Sequence, residues 1–300
     1  MKKAITILLI LLFSIILSDQ AGNNSSVHAK VSAISITSAP TSYSPGDVGM
    51  SSATLARIDS IVKDGIKSRV FPGCQIMVLK EGKTIYDKCF GNYTYESTQK
   101  VKPTTMYDLA SLSKTTGTLL AIMKLYDNDK LKITDKASKY LTFLRGTNKE
   151  NITIKELLFH ESGLPAGLPF YKLAIEKNNT PTFLVGIKDT MHTVRLNSTT
   201  MKYKQDWVSK IPSAEFQSQV SDSFYLSNRF HKAAMQMIAD TRLNSKAYVY
   251  SCVNFILLKE IAETISGISM DEFLNQEFYA PINLNTMTYL PLRKLHLRKL

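Results

Sequence analysis

The sequence predicts an α/β fold of the α+β type, in which helices flank an antiparallel sheet and a helical lobe lies over it. Three observations support this fold class: an amphipathic helical pattern from residue 52, two apolar-alternating segments joined by a tight turn, and a series of helical patterns that continues to residue 278. Of the 300 residues, 44% are hydrophobic and 21% are charged, which is typical of a globular protein. This length is sufficient for one large domain with its own core.

The first 29 residues have the pattern of a secretory signal peptide. Lys2 and Lys3 precede a mostly apolar run that ends at Leu17, too short to span a bilayer comfortably but typical of a signal sequence. Cleavage is expected after Ala29, with Ala21 as a competing site, and an uncleaved anchor is the alternative. We therefore expect an exported protein, periplasmic or extracellular, with no stable membrane span once the leader is removed.

The charge of the chain favours some partners and excludes others. A formal net charge of +12 favours anionic partners such as cell-wall polymers. Nucleic acid is not expected as a partner, because the leader predicts export and the sequence contains no nucleic-acid-binding motif. The histidines are scattered and nothing has the spacing of metal ligands, so no metal or other cofactor is expected. The oligomeric state is not predicted.

The folded domain is expected to begin after a flexible lead-in. Residues 30–50 are rich in Ser, Thr and Pro, which predicts that lead-in, and residues 51–300 then form the domain. From Ser52 onward apolar residues recur at helical spacing, which predicts an amphipathic helix. The residues expected to form its buried face are Leu55, Ile58, Ile61, Val62 and Ile66.

The next element is a β-hairpin at residues 74–90. Two segments of alternating apolar character are joined there by Glu81 and Gly82, which can form a two-residue turn. In that register Lys80 lies opposite Lys83, and the pairing of every other residue along the two strands follows from it.

Three cysteines cannot all pair within one chain. The hairpin register places Cys74 opposite Cys89, so a cross-strand disulfide is geometrically possible. Two free thiols that pack as small core residues are the alternative. In either case Cys252 is left without a partner.

Helical patterns dominate the rest of the chain. Residues 163–245 alternate loop residues with short helical patches, which indicates an insertion or helical lobe over the sheet. The predicted helices are at 111–126, 154–160, 229–241, 252–266 and 270–278.

Ser111 and Lys114 stand three residues apart at the start of an apolar helical pattern. On one face of a helix the lysine amine can meet the serine hydroxyl, and a desolvated lysine with a depressed pKa can take the serine proton. Backbone N–H groups at a helix N-terminus also favour a developing oxyanion. The alternative is a capping serine followed by an exposed lysine, because Ser-x-x-Lys alone is common.

Four segments together resemble a known family. They are YDLASLSKTTG at 107–117, ITIKELLFHESGLPAG at 152–167, YVYSCVNFILLKEIAETISG at 248–267 and PINLNTMTYLPL at 281–292. In order and spacing they are similar to the serine β-lactamase and penicillin-binding-protein superfamily, in particular to the class C β-lactamase-related serine hydrolases. The resemblance covers about residues 51–290. It implies a β-lactamase/transpeptidase-like fold and acyl-enzyme chemistry on an amide or ester.

The resemblance also implies roles for individual residues. Ser111 would be the acylated nucleophile, Lys114 its proton partner, and Tyr250 the residue that activates the serine and passes a proton to the leaving group. His160 is expected to serve the structure rather than catalysis. From its position alone, Ser251 is expected to cap the helix that follows it.

The sequence departs from the family pattern at two places. Cys252 stands where the family has the Asn or Asp of a Tyr-x-Asn or Tyr-x-Asp motif, a substrate-binding position, and a thiol is a weak hydrogen-bonding group. No Lys-Thr-Gly or His-x-Gly motif occurs before Leu300. We therefore expect a C-terminally truncated domain with an incomplete sheet and cleft.

Two functions follow as expectations. The first is an exported serine hydrolase that forms an acyl-enzyme at Ser111 on a small-molecule or peptide-like cell-wall substrate. The second is a catalytically impaired remnant or cell-wall-binding protein of the same fold. Membrane association through the leader or the basic tail is a weaker third interpretation.

Overall fold

In a computed structural model of the chain, the described residues all lie within the unit Ile36–Leu300. The predicted signal peptide and its cleavage sites lie outside the described residues. The lead-in predicted to reach residue 50 ends earlier, because Pro45–Val48 form a 3₁₀ turn and the Val48 side chain is buried. The structure describes residues 43–175, 193–196, 199–221, 224–289 and 291.

Helix α1 (Ser52–Lys67) confirms the first predicted element. Ser51 caps its N-terminus with its side-chain oxygen, which satisfies a backbone N–H that the helix cannot. Leu55 and Val62 are buried, but Ile61 is 66% exposed. The buried face of the helix is therefore narrower than the apolar spacing predicted.

The predicted hairpin consists of β1 (Gly73–Lys80) and β2 (Lys83–Gly91), which pair antiparallel as a two-stranded sheet. Lys80 lies opposite Lys83, as the two-residue turn predicts. One side of the hairpin packs against α1 through a small apolar cluster. Its buried members are Val48, Leu55, Ile85 and Tyr86, and Met50, Ile58, Ile76, Val78 and Phe90 pack against them.

The predicted pairing of Cys74 with Cys89 is wrong by one residue. A register shift between Val78 and Leu79 adds a residue to β2, so that Cys74 lies opposite Phe90. Because side chains alternate along a strand, Cys74 and Cys89 project from opposite faces of the hairpin. Both cysteines are free thiols, and so is Cys252.

The main core is helical and is centred on α6 (Cys252–Ser266). Leu257, Leu258 and Ile261 of this helix are completely buried. Thr153 caps one of the neighbouring helices, α4, with a reciprocal capping box to Glu156. The helices around α6 are α2 (Leu119–Asp127), α3 (Ala137–Tyr140), α4 (Ile154–Leu158), α5 (Arg229–Asp240) and α7 (Met270–Leu274).

Residues 163–245 contain short strands where helical patches were predicted. Their Thr-, Val- and aromatic-rich segments suit an extended backbone better than a helix. The helical part is α5, together with a 3₁₀ turn at Phe170–Leu173. The strands are β3 (Thr193–Leu196) paired with β4 (Thr199–Lys202), and β5 (Val208–Ser209), β6 (Ser218–Ser221) and β7 (Phe224–Leu226) in the order β5-β7-β6.

Within the described part of the chain, no helix has both the length and the apolar character needed to cross a membrane.

Candidate active site

Ser111 is exposed at a sharp change of chain direction. Ala110 adopts a left-handed conformation with φ of 44°, uncommon for a residue with a side chain. The Asp108 carboxylate stabilises this turn by accepting a hydrogen bond from the Ala110 backbone N–H at 2.8 Å. The chain then enters its helical run with the Ser111 side chain facing outward.

The predicted uniform α-helix from residue 111 is interrupted. Lys114–Thr118 form a π-helical turn, in which the Leu119 N–H donates to the Lys114 carbonyl, five residues earlier. The sequence KTTGT consists largely of residues that disfavour an α-helix, which permits this wider turn. Regular α-helix begins at Leu119.

The three predicted catalytic side chains meet at one point. Lys114 Nζ lies 3.2 Å from Ser111 Oγ, and Tyr250 Oη lies 2.9 Å from the same oxygen. Lys114 Nζ also lies 5.3 Å from the centre of the Tyr250 ring. Ser111 Oγ is therefore in contact with a cation and a phenol at once, although Ser111 and Tyr250 are 139 positions apart in the chain.

The start of α6 carries Tyr250 and Cys252 to this point. Ser251 Oγ accepts a hydrogen bond from the Val253 N–H at 3.2 Å and donates to the Pro165 carbonyl at 2.6 Å. The Cys252 N–H donates to the Ala166 carbonyl at 2.9 Å. These contacts confirm Ser251 as the helix cap, and they fasten the α6 terminus to the loop that follows α4.

His160 is not placed to act as a base on Ser111. Its Nδ1 lies 3.2 Å from the Ser251 backbone N–H and 3.1 Å from Asn254 Nδ2, and a backbone N–H can only donate. Asn254 Oδ1 in turn accepts from Ser162 Oγ at 2.6 Å, which fixes the amide orientation. We therefore assign the lone pair to Nδ1 and the proton to Nε2 of a neutral imidazole.

The surroundings of His160 favour this neutral form. Burial lowers the pKa of His160, and the nearby Lys114 ammonium lowers it further. The centre of the imidazole ring lies 4.8 Å from the centre of the Tyr250 ring, so His160 packs against the tyrosine side chain. This arrangement agrees with the structural role expected for His160.

Because His160 has a positive φ of 59°, we expect an unequal response to two substitutions. Asn retains a hydrogen-bond acceptor and tolerates the left-handed region, whereas Leu lacks the acceptor and is strained there. His160→Leu should lower the free energy of unfolding by about 2 kcal/mol more than His160→Asn. Urea unfolding of both variants measures the difference. Equal losses would contradict the acceptor role of Nδ1.

The charges at the site differ from the expectation of a depressed lysine pKa. Burial is the largest single influence on Lys114 and lowers its pKa, but hydrogen bonds and charge from Tyr250 and Cys252 outweigh it, and the net pKa is raised. Hydrogen bonds from Ser111 and then Lys114 lower the pKa of Tyr250. The pair therefore favours a lysine ammonium beside a phenol that ionises easily.

Cys252 lies at the predicted substrate-binding position. It is exposed, and hydrogen bonding and charge from it help to raise the pKa of Lys114. The thiol therefore influences the charge of the lysine.

Asn254 and Ser162 support this site but were not predicted. Asn254 is completely buried on a helix whose other inward residues are apolar, and Ser162 is 1% exposed. A polar residue four positions after Tyr250 on an apolar helix face was the available signal. Among the described residues, no three His, Cys, Asp or Glu side chains are grouped so that they could hold a metal.

Comparisons with known proteins show which proteins this chain is similar to. The profile of the Beta-lactamase family matches residues 58–295. An N-acetylmuramyl-L-alanine amidase from Bacillus subtilis (strain 168) is 27% identical over 257 residues, covering 81% of this chain and 48% of the relative. Protein flp from Staphylococcus aureus (strain COL) is 32% identical over 166 residues, covering 54% of this chain and 30% of the relative. The chain thus spans about half or less of the length of these curated relatives.

Two solved structures are similar in fold. The octameric penicillin-binding protein homologue from Pyrococcus abyssi superimposes with a TM-score of 0.53 at 22% identity, covering 77% of this chain and 43% of that one. EstCE1, described as a hydrolase with promiscuous acyltransferase activity, gives a TM-score of 0.51 at 19% identity, covering 76% of this chain and 51% of that one. At these identities the likeness concerns the fold, and it confirms the β-lactamase/transpeptidase-like prediction.

Proposed function

The chain belongs to the beta-lactamase family, and on that premise we propose that it is a serine hydrolase that forms an acyl-enzyme at Ser111 on an amide or ester substrate. One observation carries the proposal: Ser111 Oγ lies within hydrogen-bonding distance of both Lys114 Nζ and Tyr250 Oη. A serine hydroxyl is a weak nucleophile unless a neighbouring group takes its proton.

Tyr250 is the proton acceptor in this proposal. Its pKa is lowered and its oxygen lies 2.9 Å from Ser111 Oγ, so the phenolate can take the hydroxyl proton as Oγ bonds to the carbonyl carbon of the substrate. The carbonyl oxygen then carries the negative charge. The positive end of the helical segment that follows Ser111 favours that oxyanion.

Tyr250 then returns the proton. The tetrahedral intermediate collapses, the bond to the leaving amine or alcohol breaks, and Tyr250 protonates the departing atom. Water completes the cycle by attacking the acyl carbon, with Tyr250 again taking a proton and Ser111 leaving with one. Each proton that Tyr250 accepts is thus passed on, and the tyrosine ends the cycle in the form in which it began.

Lys114 acts as a fixed cation. Its raised pKa keeps the ammonium form, which stabilises the Tyr250 phenolate and remains in contact with Ser111 Oγ. Cys252, which is exposed, also helps to keep this lysine charged.

Cell-wall material or another small peptide-like molecule is the proposed substrate class. The Bacillus subtilis relative is named an N-acetylmuramyl-L-alanine amidase, and a formal charge of +12 suits an anionic polymer. Export to the periplasm or the cell exterior is part of this proposal, because a wall substrate lies outside the cytoplasm. The weakly polar Cys252 favours the second candidate, a wall-binding protein with impaired catalysis.

Intact mass spectrometry after exposure to a fluorophosphonate and, separately, to a penicillin tests the proposal. We expect one covalent adduct with the fluorophosphonate on the wild-type chain, and none on Ser111→Ala. Ser113→Ala is the matched control, because this serine lies two residues away and should leave labelling unchanged. A penicillin adduct would narrow the substrate class to lactam-like amides. The absence of any adduct on a folded chain would overturn the hydrolase proposal in favour of the wall-binding candidate.

A further inference from the structure

The hydroxyl of Tyr289 lies inside the helical turn that follows Ser111. Tyr289 Oη donates a hydrogen bond to the Ser113 carbonyl at 2.5 Å. Burial raises the pKa of Tyr289, and the side chain and backbone of Thr118 oppose this, so the hydroxyl also lies near the last residue of the turn. The Tyr289 hydroxyl is thus bound to the residue that precedes the turn Lys114–Thr118 and lies close to the end of that turn.

A side chain that inserts into the hydrogen-bond ladder of a helix distorts the helix at that point. In an α-helix the N–H of Leu119 would donate four residues back, to Thr115. Here it donates five residues back, to Lys114. The extra residue in the turn coincides with the place where the Tyr289 hydroxyl enters.

Gly117 makes room for that hydroxyl. A Cβ atom built on Gly117 would lie 2.0 Å from Tyr289 Oη and 2.7 Å from two of its ring carbons. No side chain larger than hydrogen therefore fits at position 117 while the tyrosine is in place. Glycine is unfavourable within a helix, and this contact explains its presence here.

We propose that Tyr289 is a positioning residue whose hydroxyl holds the turn Lys114–Thr118 open and thereby sets the distance from Lys114 to Ser111. The inference rests on the proposed function of Ser111 and assigns no contact with substrate to Tyr289. Lys114 is the first residue of the widened turn, so closing the turn would rotate its side chain relative to Ser111 Oγ. Small misplacements of catalytic groups reduce rates steeply.

Tyr279 provides a matched control within the same region. Its hydroxyl donates to the Thr116 carbonyl at 2.8 Å, so it also holds this turn. The Thr116 carbonyl lies inside the turn, whereas the Ser113 carbonyl to which Tyr289 donates immediately precedes it. Removing the Tyr279 hydroxyl thus takes away one hydrogen bond to the turn without removing the group that widens it.

The rate of Ser111 labelling by a fluorophosphonate, resolved into kinact and KI, tests the proposal. For Tyr289→Phe we expect kinact to fall about tenfold or more with KI nearly unchanged, because reagent binding does not involve the tyrosine. Tyr279→Phe should lower kinact by less than about threefold. Equal kinact values for Tyr289→Phe and wild type, with both chains folded, would overturn the proposal.

Gly117→Ala is an independent variant, because its methyl group would displace the Tyr289 hydroxyl from the turn. It should lower kinact as Tyr289→Phe does, and the double variant should lose little more than either single variant, because both act on one contact. Fully multiplicative losses would contradict a shared mechanism. If Gly117→Ala speeds labelling or leaves it unchanged, the proposal is likewise overturned.

A crystal structure of Tyr289→Phe separates this inference from the proposed function. We expect its Leu119 N–H to donate to Thr115, as in an α-helix. A Leu119 N–H that still donates to Lys114 would refute the role of the Tyr289 hydroxyl. This result is decisive even if wild-type Ser111 takes no label, an outcome that would overturn the proposed function alone.

Discussion

Tyr250→Phe is expected to slow the acylation of Ser111 by about 10²- to 10⁴-fold, the range that a positioned general base contributes. The substitution removes one oxygen, the atom that lies 2.9 Å from Ser111 Oγ, and keeps the ring that packs on His160. The effect should therefore fall on the rate of acylation rather than on folding. Stopped labelling reactions analysed by intact mass give the rate directly.

The pH dependence of labelling provides a second test of the same role. Because the pKa of Tyr250 is lowered, the wild-type labelling rate should rise with pH and then reach a plateau. The midpoint of this rise should lie below the ordinary tyrosine pKa of 10. The Tyr250→Phe rate should lack this rise. Tyr248→Phe is the control, since Tyr248 is 70% exposed and should leave both rate and pH profile unchanged. A retained rise in Tyr250→Phe would assign the base to another group.

The fold was largely predictable where one local pattern determines an element. Helical spacing predicted α1 and α6, and alternation with a two-residue turn predicted the hairpin. The hairpin register was not predictable beyond Leu79, because nothing in the alternation marks the extra residue in β2. Because of that extra residue, Cys74 lies opposite Phe90 instead of Cys89.

The sequence predicted that Ser111, Lys114 and Tyr250 meet, but it did not predict the electrostatics of the site. The spacing of Ser111 and Lys114 predicted that they lie one helical turn apart, and the family resemblance supplied Tyr250. The direction of the Lys114 pKa depends on hydrogen bonds from Tyr250 and Cys252, which the fold brings from a distant part of the chain. Sequence spacing contains no information about such contacts.

The same limit applies to residues that support the site through tertiary contacts. Tyr289 lies 176 residues after Ser113, and only the folded chain shows that its hydroxyl enters the turn at Gly117. A glycine in a helical pattern is a weak signal by itself, since it fits a helix end, a bend or a close approach equally well.

Lys149 is a second group whose role only the folded chain reveals. Its side chain is 0% exposed, and its ammonium donates to Asn148 Oδ1 at 2.6 Å and to the Ala239 carbonyl at 2.9 Å. It also donates to the Thr241 carbonyl. The last carbonyls of a helix have no partner within it, so Lys149 serves as the cap at the C-terminal end of α5.

Lys149→Met should lower the free energy of unfolding by about 3 kcal/mol, because methionine fills similar space but leaves buried carbonyl groups without donors. Lys155→Met, at an exposed position, is the matched control and should change stability by less than about 0.5 kcal/mol. Urea unfolding at neutral pH measures both. An equal, small effect at the two positions would refute the capping role of Lys149.

The pH dependence of the free energy of unfolding shows whether Lys149 acts as a buried cation or only fills space. Burial lowers the pKa of Lys149 below its ordinary value of 10.5, and the Asp240 carboxylate opposes this only in part. Between the lowered pKa and 10.5 the unfolded chain binds more protons than the folded chain, so this lysine makes stability rise with pH in that window. Lys149→Met lacks that rise, and its deficit relative to wild type should widen as pH approaches 10.5. A deficit independent of pH would mean that the lysine contributes only its volume and its hydrogen bonds.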